Sequence, residues 1–101
     1  MIERENVVRL ILDIAGELNA TLNEKIDITR GADAPLYGRD GVLDSLALVS
    51  FVVAVEQEIQ DRLDVVVALA DERAVSQKSS PFRTVGTLAD YAWSQIGAAD
   101  V

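Results

Sequence analysis

Val7, Ile11, Ile14, Leu18 and Leu22 follow one another at intervals of three and four, in a segment that also carries Glu5, Arg9, Asp13 and Glu17. An α-helix turns once every 3.6 residues, so this spacing gathers the apolar side chains on one face and the charged ones on the other. It predicts a helix from about Glu3 to Asn23. By the same reasoning a second helix runs from Asp44 to about Arg62. A closing helix follows Thr84, passes through Val85, Leu88, Ala92 and Ile96, and stops near Gly97. No stretch alternates apolar and polar residues convincingly with the period of two that a half-buried strand needs. The expected class is all-α: a small four-helix bundle with three main helices, a short third helix and a long loop between helices 1 and 2.

The loop spans Glu24 to Leu43, where Gly31, Pro35, Gly38 and Gly41 interrupt any periodicity. A connection of that length in a small domain is either functional or pinned to the surface. Ile26, Ile28, Leu36 and Tyr37 are the residues expected to pin it. Between Leu63 and Lys78, Val65-Val66-Val67 suits an extended run, and Leu69 to Ser76 suits the short third helix. Ser79-Ser80-Pro81 then breaks the chain. Trp93 is expected to cover the edge of the core.

The chain has 101 residues, enough for one domain with a single core and little room for a deep cleft. It contains neither cysteine nor histidine. That excludes a disulfide, a thiolate nucleophile, a Cys/His metal site and the commonest general base near neutral pH. A protein without those groups acts through carboxylates or lysines, or borrows its chemistry from a cofactor. The net charge of −8 disfavours nucleic acid and anionic membranes as partners. It suits partners with basic surfaces, and it also serves plain solubility. No apolar run is long enough to span a bilayer, and Met1-Ile2-Glu3-Arg4-Glu5 does not resemble a secretory leader. The expected setting is cytoplasmic, without stable membrane insertion.

The second helix carries one apolar stripe more than a core needs. With Leu46 set at zero and about 100° per residue, Leu48, Phe51, Val52, Val55 and Ile59 fall between roughly 140° and 240°, a normal core stripe. Leu46, Val49 and Val53 fall on the opposite side, between roughly 300° and 360°, beside Ser50, Gln57 and Gln60. Two readings are open. Either this helix is central and wrapped on both faces, or the second stripe is exposed and docks partners.

Asp44 is a good N-cap, which leaves Ser45 at the first helical position. The unpaired N–H groups and the dipole at a helix start favour an anion, so a phosphate ester on Ser45 would be well placed there. Asp44, with Asp40, could hold a metal ion in a complex with a modifying enzyme. The plain alternative is an ordinary Asp cap followed by a serine.

Leu43-Asp44-Ser45-Leu46, after a long loop and opening an apolar helix, resembles the modification motif of acyl carrier proteins. Thr84-Val85-Gly86, followed by Leu88 and Asp90-Tyr91, is similar to the start of that family's closing helix. The resemblance covers nearly the whole chain and implies one acyl-carrier-type domain over residues 1–101. It implies 4′-phosphopantetheine on Ser45, with Asp44 as the neighbour the phosphopantetheinyl transferase needs. It further implies docking through Leu46, Val49, Val53 and Glu56, and shelter for a short acyl chain beside Phe51, Val55 and Ile59. Such a protein is a monomer with no catalytic activity of its own and no resident metal. It presents thioesters to an acyl-loading ligase or transferase and to condensing or acyl-transfer enzymes of a fatty acid, polyketide or other specialised pathway.

The chain also departs from the family's pattern. Ala47 and Ser50 stand where carriers of primary fatty acid synthesis have acidic residues, and Gln57 replaces a further glutamate. Val42 stands where glycine is common, and the stretch from Ala68 to Arg83 is longer than usual. These departures suggest a specialised carrier with its own set of enzymes. An aminoacyl or peptidyl carrier is a second possibility, although such carriers more often show Gly-Gly before Asp-Ser. A helical adaptor without a prosthetic group is a third.

Overall fold

The computed structural model describes residues 3–22, 24–38, 41–69 and 81–99. Among them are α1 (Arg4–Leu18), a 3₁₀ turn (Ile28–Asp33), α2 (Ser45–Leu63) and α3 (Val85–Ala99). No strand occurs among the described residues. The described residues form two isolated bridges, Pro35 with Thr84 and Tyr37 with Leu43. The chain is all-α, as its periodicity predicts. Of the expected short helix at 69–76, all but Leu69 lies outside the described residues.

Each helix starts where a side chain can satisfy its first amides. The Asn6 side chain accepts the Glu3 backbone N–H at 3.0 Å at the start of α1. Before α3, Thr84 and Thr87 cap each other: Thr84 Oγ1 accepts the Thr87 N–H at 3.1 Å, and Thr87 Oγ1 accepts the Thr84 N–H at 3.0 Å. This reciprocal pattern closes two otherwise orphaned donors.

α1 is shorter than its periodicity suggests. It ends at Leu18, not near Asn23. The Asn19 side chain turns instead to the backbone of Ile26, accepting its N–H at 2.7 Å and donating to its carbonyl at 2.9 Å. Lys25 Nζ caps the end by donating to the carbonyls of Asn19 and Leu22, the favourable place for a cation. Leu22 still packs half-buried against the core from outside the helix.

α1 is the shared element: α2 and α3 each pack against it, and the 3₁₀ turn packs on α1 and α3. The core joins Val7, Leu10, Ile11 and Ile14 of α1 to Leu48, Phe51, Val52, Val55 and Ile59 of α2, and to Val85, Leu88, Ala92 and Ile96 of α3. Phe82 is fully buried just before α3 and meets Tyr91 edge to face, ring centres 6.2 Å apart. Trp93, on the outer side of α3, is 45% exposed. After α2 the backbone turns left-handed at Asp64 (φ 56°), and residues 64–69 run as neither helix nor strand. Val66 faces outward there, while Val67 and Leu69 are buried.

The long connection is pinned by three of the four residues expected to pin it. Ile26 and Leu36 are buried and Tyr37 is half-buried, but Ile28 is exposed at 41%. Ile28 opens the 3₁₀ turn, whose cap is Asp27: its carboxylate accepts the Thr29 N–H at 3.2 Å. Further along, main-chain bonds hold the path. The Leu36 N–H donates to Arg83 O at 2.7 Å, the Val85 N–H to Ala34 O at 3.0 Å, and the Leu43 N–H to Leu36 O at 3.0 Å. The residues leading into α2 are thereby registered against the start of α3.

Candidate functional site

Asp44 caps α2: its carboxylate accepts the Ala47 N–H at 2.8 Å, and its carbonyl accepts the Leu48 N–H at 2.9 Å. Ser45 is the first residue of the helix, the position expected from the sequence. Asp40, the other candidate carboxylate, lies outside the described residues. Among the described residues, no group of acidic side chains is gathered as a metal site would need.

Gly41 fixes how the chain enters this cap. A Cβ at Gly41 would stand 2.4 Å from the Tyr37 nitrogen and 2.6 Å from the Leu36 carbonyl carbon. Only glycine lets the two backbone segments approach so closely. Leu43 is buried two residues before Ser45 and anchors the loop in the core.

The second stripe of α2 is a surface stripe. Leu46, Val49 and Val53 are 79%, 45% and 39% exposed, while all five residues of the core stripe are buried. α1, not α2, is the helix that the other two share. Of the two readings of the second stripe, the central-helix one is therefore overturned. Ser50, Gln57 and Gln60 lie exposed on the same side. These six outward residues are uncharged, on a molecule of net charge −8, and Glu56 borders them at roughly 280°.

Glu56 and Glu58 lie on the flanks of α2 and have partners inside the chain, while Asp61 is exposed. Glu56 Oε1 accepts the Leu69 N–H at 3.2 Å, tying the segment after α2 back to the helix. Glu58 accepts from Arg62 Nε at 2.5 Å, and the same guanidinium reaches Asp13 of α1 at 3.1 Å. The bond to Asp13, then that to Glu58, raises the Arg62 pKa above its already high value. Glu58 thus belongs to the seam between α1 and α2. The Glu58–Arg62 pair has the four-residue spacing on one helix that a sequence can show, whereas the bonds of Glu56 to the Leu69 amide and of Arg62 to Asp13 were not legible, because those partners are a backbone amide and a residue of another helix.

Beside the apolar strip, between α1 and α2, lies a cleft of about 250 Å³ walled by Ile14, Leu18, Thr21, Ser50, Phe51 and Ala54, with Glu17 as its one charged residue. Phe51, one of the residues implied to shelter an acyl chain, lines it. Val55 and Ile59 do not line it, being buried in the core. Among the described residues, no helix is long and apolar enough to cross a membrane.

No protein-family model matches the chain, and no curated protein or solved structure matches it. The residues and their geometry therefore carry the functional reading.

Proposed function

We propose that the chain is a stand-alone acyl carrier protein that holds acyl intermediates as thioesters on 4′-phosphopantetheine at Ser45. One arrangement carries the reading. An aspartate-capped helix begins at Ser45 and turns an uncharged, apolar strip of Leu46, Val49 and Val53 outward from that same end. The residues fit the group. A serine supplies the oxygen that a phosphate ester needs, and the positive end of α2 favours the charge of that ester.

The attached arm would supply the thiol that carries the acyl group. The chain's own residues do the rest. Asp44 holds the helix start, Gly41 and Leu43 fix the approach to it, and Leu46, Val49 and Val53 meet the partner enzyme. Tethering keeps the acyl group at high effective concentration near each enzyme in turn. The short apolar strip suits docking that is specific and brief. The cleft beside Phe51 would take a short acyl chain. On this reading the domain is a monomeric, cytoplasmic four-helix bundle, and it catalyses nothing itself. The partners are a phosphopantetheinyl transferase, an acyl-loading ligase or transferase, and condensing or acyl-transfer enzymes.

Intact mass after incubation with coenzyme A, magnesium and a broad-specificity phosphopantetheinyl transferase tests this. The expected result is a gain of one phosphopantetheinyl group, lost in Ser45→Ala while the fold is kept. A modified Ser45→Ala protein would move the site elsewhere. No gain, with a control carrier modified in the same tube, would favour the helical adaptor, which shares the exposed strip but needs no reactive serine.

A further inference from the structure

A second concavity, polar where the first is apolar, is lined in part by the loop that leads into α2. It encloses about 290 Å³ and is lined by Arg30, Asp33, Pro35, Tyr37, Gly41, Arg83 and Thr84. Three chain segments build it. Arg30 and Asp33 come from the 3₁₀ turn, Tyr37 and Gly41 from the loop, and Arg83 and Thr84 from the residues before α3. Its floor is the main-chain pairing of Pro35 with Thr84, flanked by the bonds of Leu36 to Arg83 and of Val85 to Ala34. The pairing fixes the backbone of Arg83, and Arg30 is held within the 3₁₀ turn, where its N–H donates to Asp27 O at 3.1 Å.

The charge here runs against that of the whole molecule. Arg30 and Arg83 are both exposed, and neither guanidinium forms an ion pair among the described residues. Arg4 and Arg62, by contrast, are paired with Asp90 and with Asp13 and Glu58. Among the described residues that line it, Asp33 offsets one of the two positive charges, leaving them net positive on a protein of net charge −8. The start of α3 adds the positive end of its dipole, with Thr84 itself in the wall. Two planar guanidinium groups in one concavity are the arrangement that recognises a tetrahedral oxyanion by paired N–H donors. Gly41 also presents no side chain to the space. It lies four residues from Ser45, at most about 14 Å along the chain.

We propose that this concavity is a phosphoryl-binding site in which Arg30 and Arg83 hold the oxygens of a phosphate ester. That chemistry has two sources, a free phosphate ester or the phosphodiester that the proposed carrier function would place on Ser45. Only the second source rests on that function.

The test is titration of the unmodified protein with inorganic phosphate, followed through its amide NMR signals against chloride at matched ionic strength. Saturable shifts of the Arg30, Arg83, Thr84 and Val85 amides are expected, weakened at least about tenfold in Arg30→Gln/Arg83→Gln. The other helices should keep their signals. Shifts that chloride reproduces, or that survive in the double variant, would overturn the site whether or not Ser45 is ever modified. Repeating the titration on protein carrying the arm separates the sources. A tenfold weaker response there identifies the arm's phosphodiester as the occupant, and an unchanged one identifies a free phosphate ester. If Ser45 accepts no arm, the carrier reading fails while the first titration still decides the site.

Discussion

At the scale of single residues, Asp44 and Gly41 do separable jobs around Ser45. Asp44 accepts the Ala47 N–H at 2.8 Å, so Asp44→Ala should cost about 0.5–2 kcal/mol of stability in urea unfolding. Asp44→Asn keeps an acceptor at the cap and should stay within a few tenths of a kcal/mol of the parent. If the carboxylate matters to the transferase, the Asn variant will nonetheless be modified slowly. Equal modification of the parent and Asp44→Asn would reduce Asp44 to a cap. Gly41 acts through space. A methyl there meets the Leu36–Tyr37 backbone at 2.4–2.6 Å, so Gly41→Ala should cost about 1–3 kcal/mol, read as a lower unfolding midpoint. The cap was legible in the sequence because Asp before a periodic apolar run is a local signal. The closeness at Gly41 was not, because its partner backbone lies four residues back across a turn. Asn19 shows the same limit: its bonds to Ile26 end α1 at Leu18 while the apolar spacing runs on to Leu22.

At the scale of elements, α2 divides into two faces, and the division was readable from its spacing. Five residues at roughly 140–240° are buried, and three at roughly 300–360° are exposed. The two faces should respond oppositely to mutation. Phe51→Ala should cost about 3–5 kcal/mol, since that ring is fully buried. Val53→Glu should leave helix content unchanged and stability within about 0.5 kcal/mol. It should still weaken transfer by a partner enzyme. Unfolding of Val53→Glu in a circular dichroism melt would mean that the strip supports the core after all. The 3₁₀ turn escaped the sequence reading because its six residues are too few to show a period. Its signal was Asp27-Ile28-Thr29, a side-chain-capped turn, followed by Gly31 at φ 60° and ψ −129°, a backbone that glycine adopts readily.

At the scale of the whole molecule, charge and docking are separated in space. The resemblance implies docking through Glu56, and Glu58 lies two residues further on. The structure engages one with the Leu69 amide and the other with Arg62, and the six outward residues of α2 are uncharged. Salt should therefore act mainly on encounter. The net charge of −8 steers a basic partner from a distance, so the association rate should fall as salt rises. The dissociation rate, set by the apolar strip, should change less than about twofold between low and moderate salt. A stopped-flow series resolves the two, and a dissociation rate that climbs with salt would place charged contacts inside the interface. The hydrogen bonds that register the loop against α3 join main-chain atoms: Leu36 to Arg83, Val85 to Ala34, and Leu43 to Leu36. Amides are common to every residue type except for proline's missing hydrogen. Descendants of this sequence could thus exchange the exposed side chains along the loop, and change which molecules it meets, while the start of α2 stays where it is.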